Sequence, residues 1–313
     1  MHTSGINALS IALSVLATTA TFAAPNRCPT HGIYLQVLGS GGPELNGRAQ
    51  SSYLVWDQGK ARVLVDAGPG SAVNFGRAGA RYETLNVIAL THLHADHSAD
   101  LPAYVKNGFF SDRQENLPIL GPDGSSRFPA TTEWLKALFA APDGAYRYLD
   151  SFLSGDDQPA YRLLPQDILP EDGATMTPYQ QGNLTLTAVS VTHGAVPALA
   201  WRVTLGDRSV VFSGDTNGNG DSLQKLAQGA GLLVAHNAVP EGAKGIERAL
   251  HMPPSRIGEI AAAGNIKMLL LSHRMNRTLG REPETQQTIR KYYQGKLAFA
   301  NDFDCIALPR NSQ

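Results

Sequence analysis

The stretch Thr91-His92-Leu93-His94-Ala95-Asp96-His97 spends three of the chain's nine histidines within six residues, directly behind the apolar run LNVIAL. A short apolar run bounded by polar residues reads as a buried strand, so the histidines sit at a strand end. His92 and His94 are two residues apart and point the same way in extended backbone. Asp96 and His97 lie past the turn, where the next segment takes up helical spacing, and they aim elsewhere. One segment can therefore offer two neighbouring positions the imidazole nitrogens and carboxylate oxygens that a zinc-like ion accepts.

The same grammar recurs. Further strand-like runs end on an ionisable residue: LTLTAVSVTH at His193, SVVFSGD at Asp215, GLLVAH at His236 and IKMLLLSH at His273. Strand ends that open on one sheet edge form a shared crevice, where α/β folds place their ligands. Around them, IYLQVLGSGG reads as a strand with a glycine turn, and SSYLVWDQGKARVLVD as a hairpin around Asp57-Gln58-Gly59. SAVNFGRAG, HSADLPAYVKNGFF, SLQKLAQGA, SRIGEIAAAG and ETQQTIRKYY read as helices, as does TTEWLKALFA with an N-capping Thr. KLAFANDFDCIAL offers one or two closing strands. The region 141–172 is the least regular, an inserted loop or helical excursion that either borders the site or simply packs on the surface. No low-complexity linker divides the chain. The organisation is α/β, two strand-rich halves sharing one core with helices on the outer faces.

A net charge of −1 gives no electrostatic footprint for a nucleic-acid polymer. The first 24 residues carry no Asp, Glu, Lys or Arg, and small residues follow their apolar run. They read as a secretory signal peptide, residues 1–23, cut near Ala23 or Ala24; a retained membrane anchor is the alternative. Export would bring Cys28 and Cys305 into an oxidising compartment. A disulfide joining them and two free buried thiols both remain open.

The motif THLHADH resembles the HxHxDH signature of the metallo-β-lactamase superfamily. GSGGP, VDAGPG, VTHG, FSGDT and LLLSH follow in that family's order over nearly the whole mature chain. The resemblance implies an αββα sandwich of two mixed β-sheets flanked by helices, one domain over 24–313. It implies two divalent metal ions, zinc before manganese or iron. His92, His94 and His193 would bind the first, Asp96, His97 and His273 the second, and Asp215 would bridge them. An aspartate at the bridge points away from the true β-lactamases.

The nearer likeness is to the ribonuclease Z and arylsulfatase-like branch, on LGSGGPELNGRAQSSYLV, GDTNGNGDSLQKLAQGAGLLVAH and ALHMPPSRIGEIAAAGNIKMLLLSHR. In that branch a histidine at the position of His251 assists at the scissile phosphate or leaving group, and Asp96 could handle protons as well as metal. His236-Asn237 stands where ribonuclease Z has His-Glu; His236 reads as a supporting residue. Arg48 and Arg274 could hold an anionic substrate, or serve the fold. The expectation is an exported hydrolase of phosphodiester or sulfate ester bonds, acting through a metal-bound hydroxide on a small anionic substrate. A lactonase or thioesterase on the same metals is the alternative. No nucleic-acid polymer and no membrane insertion after signal removal are expected, and a homodimer is left open.

Overall fold

The structure, a computed structural model, describes Met1 and residues 27–171 and 173–312. The signal peptide expected over 1–23 lies outside the described residues, Met1 apart. Strands follow in chain order: β1 Ile33–Gly39, β2 Ser52–Asp57, β3 Lys60–Val65, β4 Val87–Ala89, β5 Leu117–Pro122, β6 Leu163–Ile168, β7 Met176–Gln181, β8 Leu184–His193, β9 Val196–Leu205, β10 Arg208–Phe212, β11 Leu232–His236, β12 Met268–Ser272, β13 Lys296–Phe299 and β14 Cys305–Ala307. They form two seven-stranded sheets, β14-β1-β2-β3-β4-β5-β6 and β13-β12-β11-β10-β9-β8-β7. Each sheet is mixed. Hairpins make its antiparallel part, and crossovers make parallel pairs such as β3/β4 and β10/β11.

Strand alternation explains the layering. Leu35, Val37, Tyr53, Val55, Val63 and Val65 face the second sheet, where they meet Leu186, Trp201, Val203, Phe212 and Val234. The residues between them, Leu54, Leu64 and Ile88, face outward and pack on Phe75, Leu101, Tyr104 and Leu135 of the first helical layer. On the far side Val211, Leu233, Leu269 and Leu271 pack on Leu226, Ile257 and Ile260. Successive side chains point to opposite faces. A strand covered on both sides is therefore apolar throughout, as VIAL within LNVIAL and MLLL within IKMLLLSH are. Each fully buried Leu or Val contributes about 1.5–3 kcal/mol. The αββα sandwich expected from the sequence is the architecture found.

Several local expectations are corrected. Ala130, not a threonine, precedes the helix Thr131–Phe139, and Glu133 Oε2 accepts its N–H at 3.3 Å. Thr131 is instead turned to donate to the Pro122 carbonyl. The region 141–172 is not merely an excursion, because β6 within it pairs with β5 over six residues. KLAFANDFDCIAL yields two strands that part company, β13 closing the second sheet and β14 the first.

Cys28 and Cys305 are joined, with Cα atoms 5.5 Å apart and a sequence separation of 277. The bond ties the segment before β1 to β14. In a chain-entropy account so long a loop stabilises by about 5 kcal/mol. The Cys28→Ser, Cys305→Ser double variant is expected to melt roughly 5–10 °C lower. A calorimetric scan showing an unchanged melting temperature would refute that role.

Candidate metal centre

The ionisable strand ends meet because the strands that carry them run the same way. β4 delivers His92, β8 ends at His193, β10 leads to Asp215, β11 ends at His236 and β12 leads to His273. β10, β11 and β12 are parallel, and β8 runs with β10 because both are antiparallel to β9. The sheets are locked together here: Leu199 N–H donates to the Thr91 carbonyl at 2.8 Å, and Trp201 Nε1 to the Leu90 carbonyl at 2.9 Å.

His92, His94 and His193 form one group. His92 Nε2 and His94 Nδ1 are 3.1 Å apart, and the His193 ring lies 5.0 and 5.2 Å from theirs, centroid to centroid. Asp96, His97 and His273 form the other, with Asp96 Oδ2 at 3.5 Å from His97 Nε2 and 3.2 Å from His273 Nε2. Asp215 stands between them. Its Oδ1 lies 3.8 Å from His97 Nε2 and 3.4 Å from His273 Nε2; its Oδ2 lies 3.7 Å from His193 Nε2. All seven residues singled out from the sequence as ligands are thus drawn together.

Their supports fix which nitrogen faces inward. His97 Nδ1 lies 2.8 Å from Asp66 Oδ2, and His193 Nδ1 lies 3.0 Å from the Leu250 carbonyl. An ionised carboxylate and a carbonyl only accept, so each Nδ1 carries a proton and Nε2 is the nitrogen turned to the centre, the one a cation would bind once its own proton is displaced. Asp66 is fully buried at φ +59°, and it also takes the Thr91 N–H at 2.7 Å and the Thr91 hydroxyl at 2.9 Å. His236 Nδ1 lies 2.7 Å from Asp215 Oδ1, and its Nε2 lies 3.2 Å from the Tyr53 hydroxyl. One nitrogen of His236 thus steadies the carboxylate and the other meets Tyr53. Asn237 turns to the Val239 carbonyl instead.

Backbone proximity matters as much. A Cβ on Gly42 would lie 2.6 Å from His273 Cε1, and one on Gly68 would strike the Asp96 carbonyl oxygen. The glycines of GSGGP and VDAGPG are therefore packing requirements of the centre.

The donor set fits a pair of divalent cations. Two ligands of one tetrahedral zinc lie about 3.3 Å apart, and the separations above bracket that value. Three carboxylates, Asp66, Asp96 and Asp215, are buried together, and among the described residues only histidines lie within ion-pair distance of them. His97 Nε2 is buried with no hydrogen-bond partner. Burial pushes His97 down, yet Asp96, Asp66 and Asp215 outweigh it and take its pKa up to about 10. A proton is held where a cation's charge would serve. Burial holds His92 well below the usual range, leaving its ring neutral as a ligand must be.

His251 Nδ1 is buried, unpartnered and 3.8 Å from Asp215 Oδ2. Burial pushes its pKa down to about 3 against the pull of Asp215. Arg48 and Arg274 are committed elsewhere. Arg48 binds Ser40 Oγ at 2.8 Å and Asn301, while Arg274 pairs with Glu282 and stacks over Phe299. They serve the fold, one of the two roles the sequence left open. Beside His94 the wall is made by Phe128, Pro129 and Trp134, and 141–172 adds only Tyr146, in the adjoining hollow. Asp66 and Tyr53 are the functional positions that the sequence analysis left unassigned. A carboxylate set inside the apolar run VLVDAG marks Asp66 as unusual but does not name what it contacts.

A family described as the Beta-lactamase superfamily domain matches residues 61–274, from β3 to one residue past His273. The chain is 26% identical over 259 residues to a Ribonuclease Z of Metallosphaera sedula, covering 75% of this chain and 86% of that protein. It is 30% identical over 212 residues to a Ribonuclease Z of Mycobacterium sp. (strain KMS), covering 66% and 69%. The structure of the human tRNase Z short form superposes with a TM-score of 0.67 at 19% identity, covering 88% of this chain and 99% of that one. With its fold and its converging His/Asp cluster, the chain belongs to the metallo-β-lactamase superfamily, as a hydrolase related to ribonuclease Z.

Proposed function

We propose that the protein is an exported, two-metal hydrolase of phosphodiester or sulfate ester bonds. The observation that carries this is Asp215, whose two oxygens face two separate groups of inward-pointing histidines. His92, His94 and His193 would hold one ion, Asp96, His97 and His273 the other, with Asp215 shared. Divalent ions there, zinc for preference among such nitrogen-rich donors, supply Lewis acidity and an activated water. The protein's own residues do the rest. Asp66 and the Leu250 carbonyl aim His97 and His193, and His236 steadies Asp215. His251, a neutral imidazole, offers an N–H to the departing oxygen.

Export is supported by the charge-free first 24 residues and by the Cys28–Cys305 bond. N-terminal sequencing of protein from a periplasmic or culture fraction should begin near Ala24 or Pro25; an intact Met1 there would sink this part. Among the described residues no helix is long and apolar enough to cross a membrane.

The name of the relatives favours a second reading, an RNA phosphodiester as substrate. It weakens the expectation that nucleic-acid polymers are excluded. The test is a panel of bis-p-nitrophenyl phosphate, p-nitrophenyl sulfate, an acyl lactone and an RNA oligonucleotide, run on zinc-loaded and chelator-stripped protein. Turnover of the phosphate or sulfate ester, lost on stripping and restored by metal, is the expected result. Cleavage of the lactone alone would replace the proposal with the lactonase reading.

A further inference from the structure

His94 has two environments. Its Nδ1 meets His92 Nε2 at 3.1 Å, inside the centre. Its ring also lines a hollow of about 200 Å³ with Leu93, Phe128, Trp134, Val196 and Pro197. No Lys, Arg, Asp or Glu is among the lining residues. Val196 and Pro197 open β9 just after His193, and Phe128 and Trp134 come from the segment following β5. Both sheets therefore contribute a wall, next to a ligand from each. His92 and His193 are buried, whereas His94 is only half-buried, so the hollow is an open flank of the centre. Leu93 and Trp134 also line a second hollow of about 250 Å³ with Leu138 and Tyr146, which continues the apolar surface.

Charge points the same way. Arg48 and Arg274, the guanidiniums the sequence offered for an anionic substrate, are engaged with Ser40, Asn301 and Glu282. A flank without cations does not track a polyphosphate backbone. An aromatic and aliphatic lining with one polar ring is how a pocket takes up an uncharged apolar group.

We propose that this flank is the specificity pocket, and that the substrate is an ester bearing an uncharged apolar group of ring size that seats on Trp134 and Phe128 beside His94. This rests on the hydrolase reading above for the ester, and on the pocket alone for the apolar group. Burying one ring there is worth roughly tenfold to a hundredfold in affinity.

The test uses the full zinc-loaded chain and calorimetric titration with methyl phosphate, phenyl phosphate and uridine 5′-phosphate. Phenyl phosphate is expected to bind at least about tenfold more tightly than methyl phosphate. Trp134→Ala should bring that ratio close to one. Phe128→Ala should shrink it too and serves if the first variant does not fold, which circular dichroism reports. Equal affinity for the methyl and phenyl esters overturns the proposal. So does a preference that survives in both variants, or uridine 5′-phosphate binding as tightly as phenyl phosphate. The two readings fail separately. A lost phenyl preference with ester turnover intact removes the pocket alone. A retained preference that Trp134→Ala abolishes, with no turnover on any ester, supports the pocket and removes the hydrolase.

Discussion

Asp215→Asn is expected to lower turnover of bis-p-nitrophenyl phosphate by more than about a hundredfold, since losing even an outer support of a metal ligand costs 10–100-fold. The substitution keeps the shape and removes the charge. Oδ1 and Oδ2 face His97 and His273 on one side and His193 on the other, so an amide can offer an oxygen to only one of the two groups. It would also turn an N–H toward imidazoles whose lone pairs point inward. Metal content by plasma emission should fall from two ions per chain to one or fewer, with a two-ion parent measured alongside. A variant that keeps both ions and full turnover would show that Asp215 is no bridge, and the two-ion assignment would go with it.

Asp66→Ala is expected to show the second large effect, on stability and metal affinity together. The carboxylate is fully buried and takes three groups: His97 Nδ1, the Thr91 N–H and the Thr91 hydroxyl. Each buried donor left without a partner costs about 1–3 kcal/mol, so the loss from three of them should total about 3–9 kcal/mol. His97 would lose the acceptor that fixes its tautomer, and metal affinity should fall about 10–100-fold. Denaturant melts of the metal-free protein isolate the first effect, and chelator competition isolates the second. Asp66→Asn separates them further, because its amide oxygen can still accept while its NH₂ opposes a donor. Metal affinity unchanged in Asp66→Ala would show that His97 needs no such support.

Both variants probe residues that the sequence revealed unequally. Asp215 was legible because it ends a strand-like run in FSGDT, and residue chemistry plus position named it. Asp66 was not. VDAGPG carries part of the family resemblance, yet nothing local says that its carboxylate reaches His97, 31 residues along the chain. Tyr53 was hidden more deeply, since its hydroxyl meets His236 across 183 residues and its spacing is that of any core aromatic. The edge strands β6 and β7 were missed for a different reason. LLPQDI and MTPYQQ carry proline and polar residues, and their pairing depends on the neighbours β5 and β8 rather than on their own alternation.

The sequence by itself determined the strands buried on both faces, the helices between them and the histidines and aspartates at strand ends, because period and residue chemistry are properties of a few consecutive residues. Only the tertiary structure decided that His273 comes within 3.2 Å of Asp96 over a separation of 177. It also decided that Cys28, before β1, is tied to Cys305 in β14, that Arg48 and Arg274 are committed to the fold, and that Trp134 walls the flank of His94. Each of these is a distance between residues remote in sequence. Strand direction and sheet packing set such distances, and the buried core shared by the two sheets holds them.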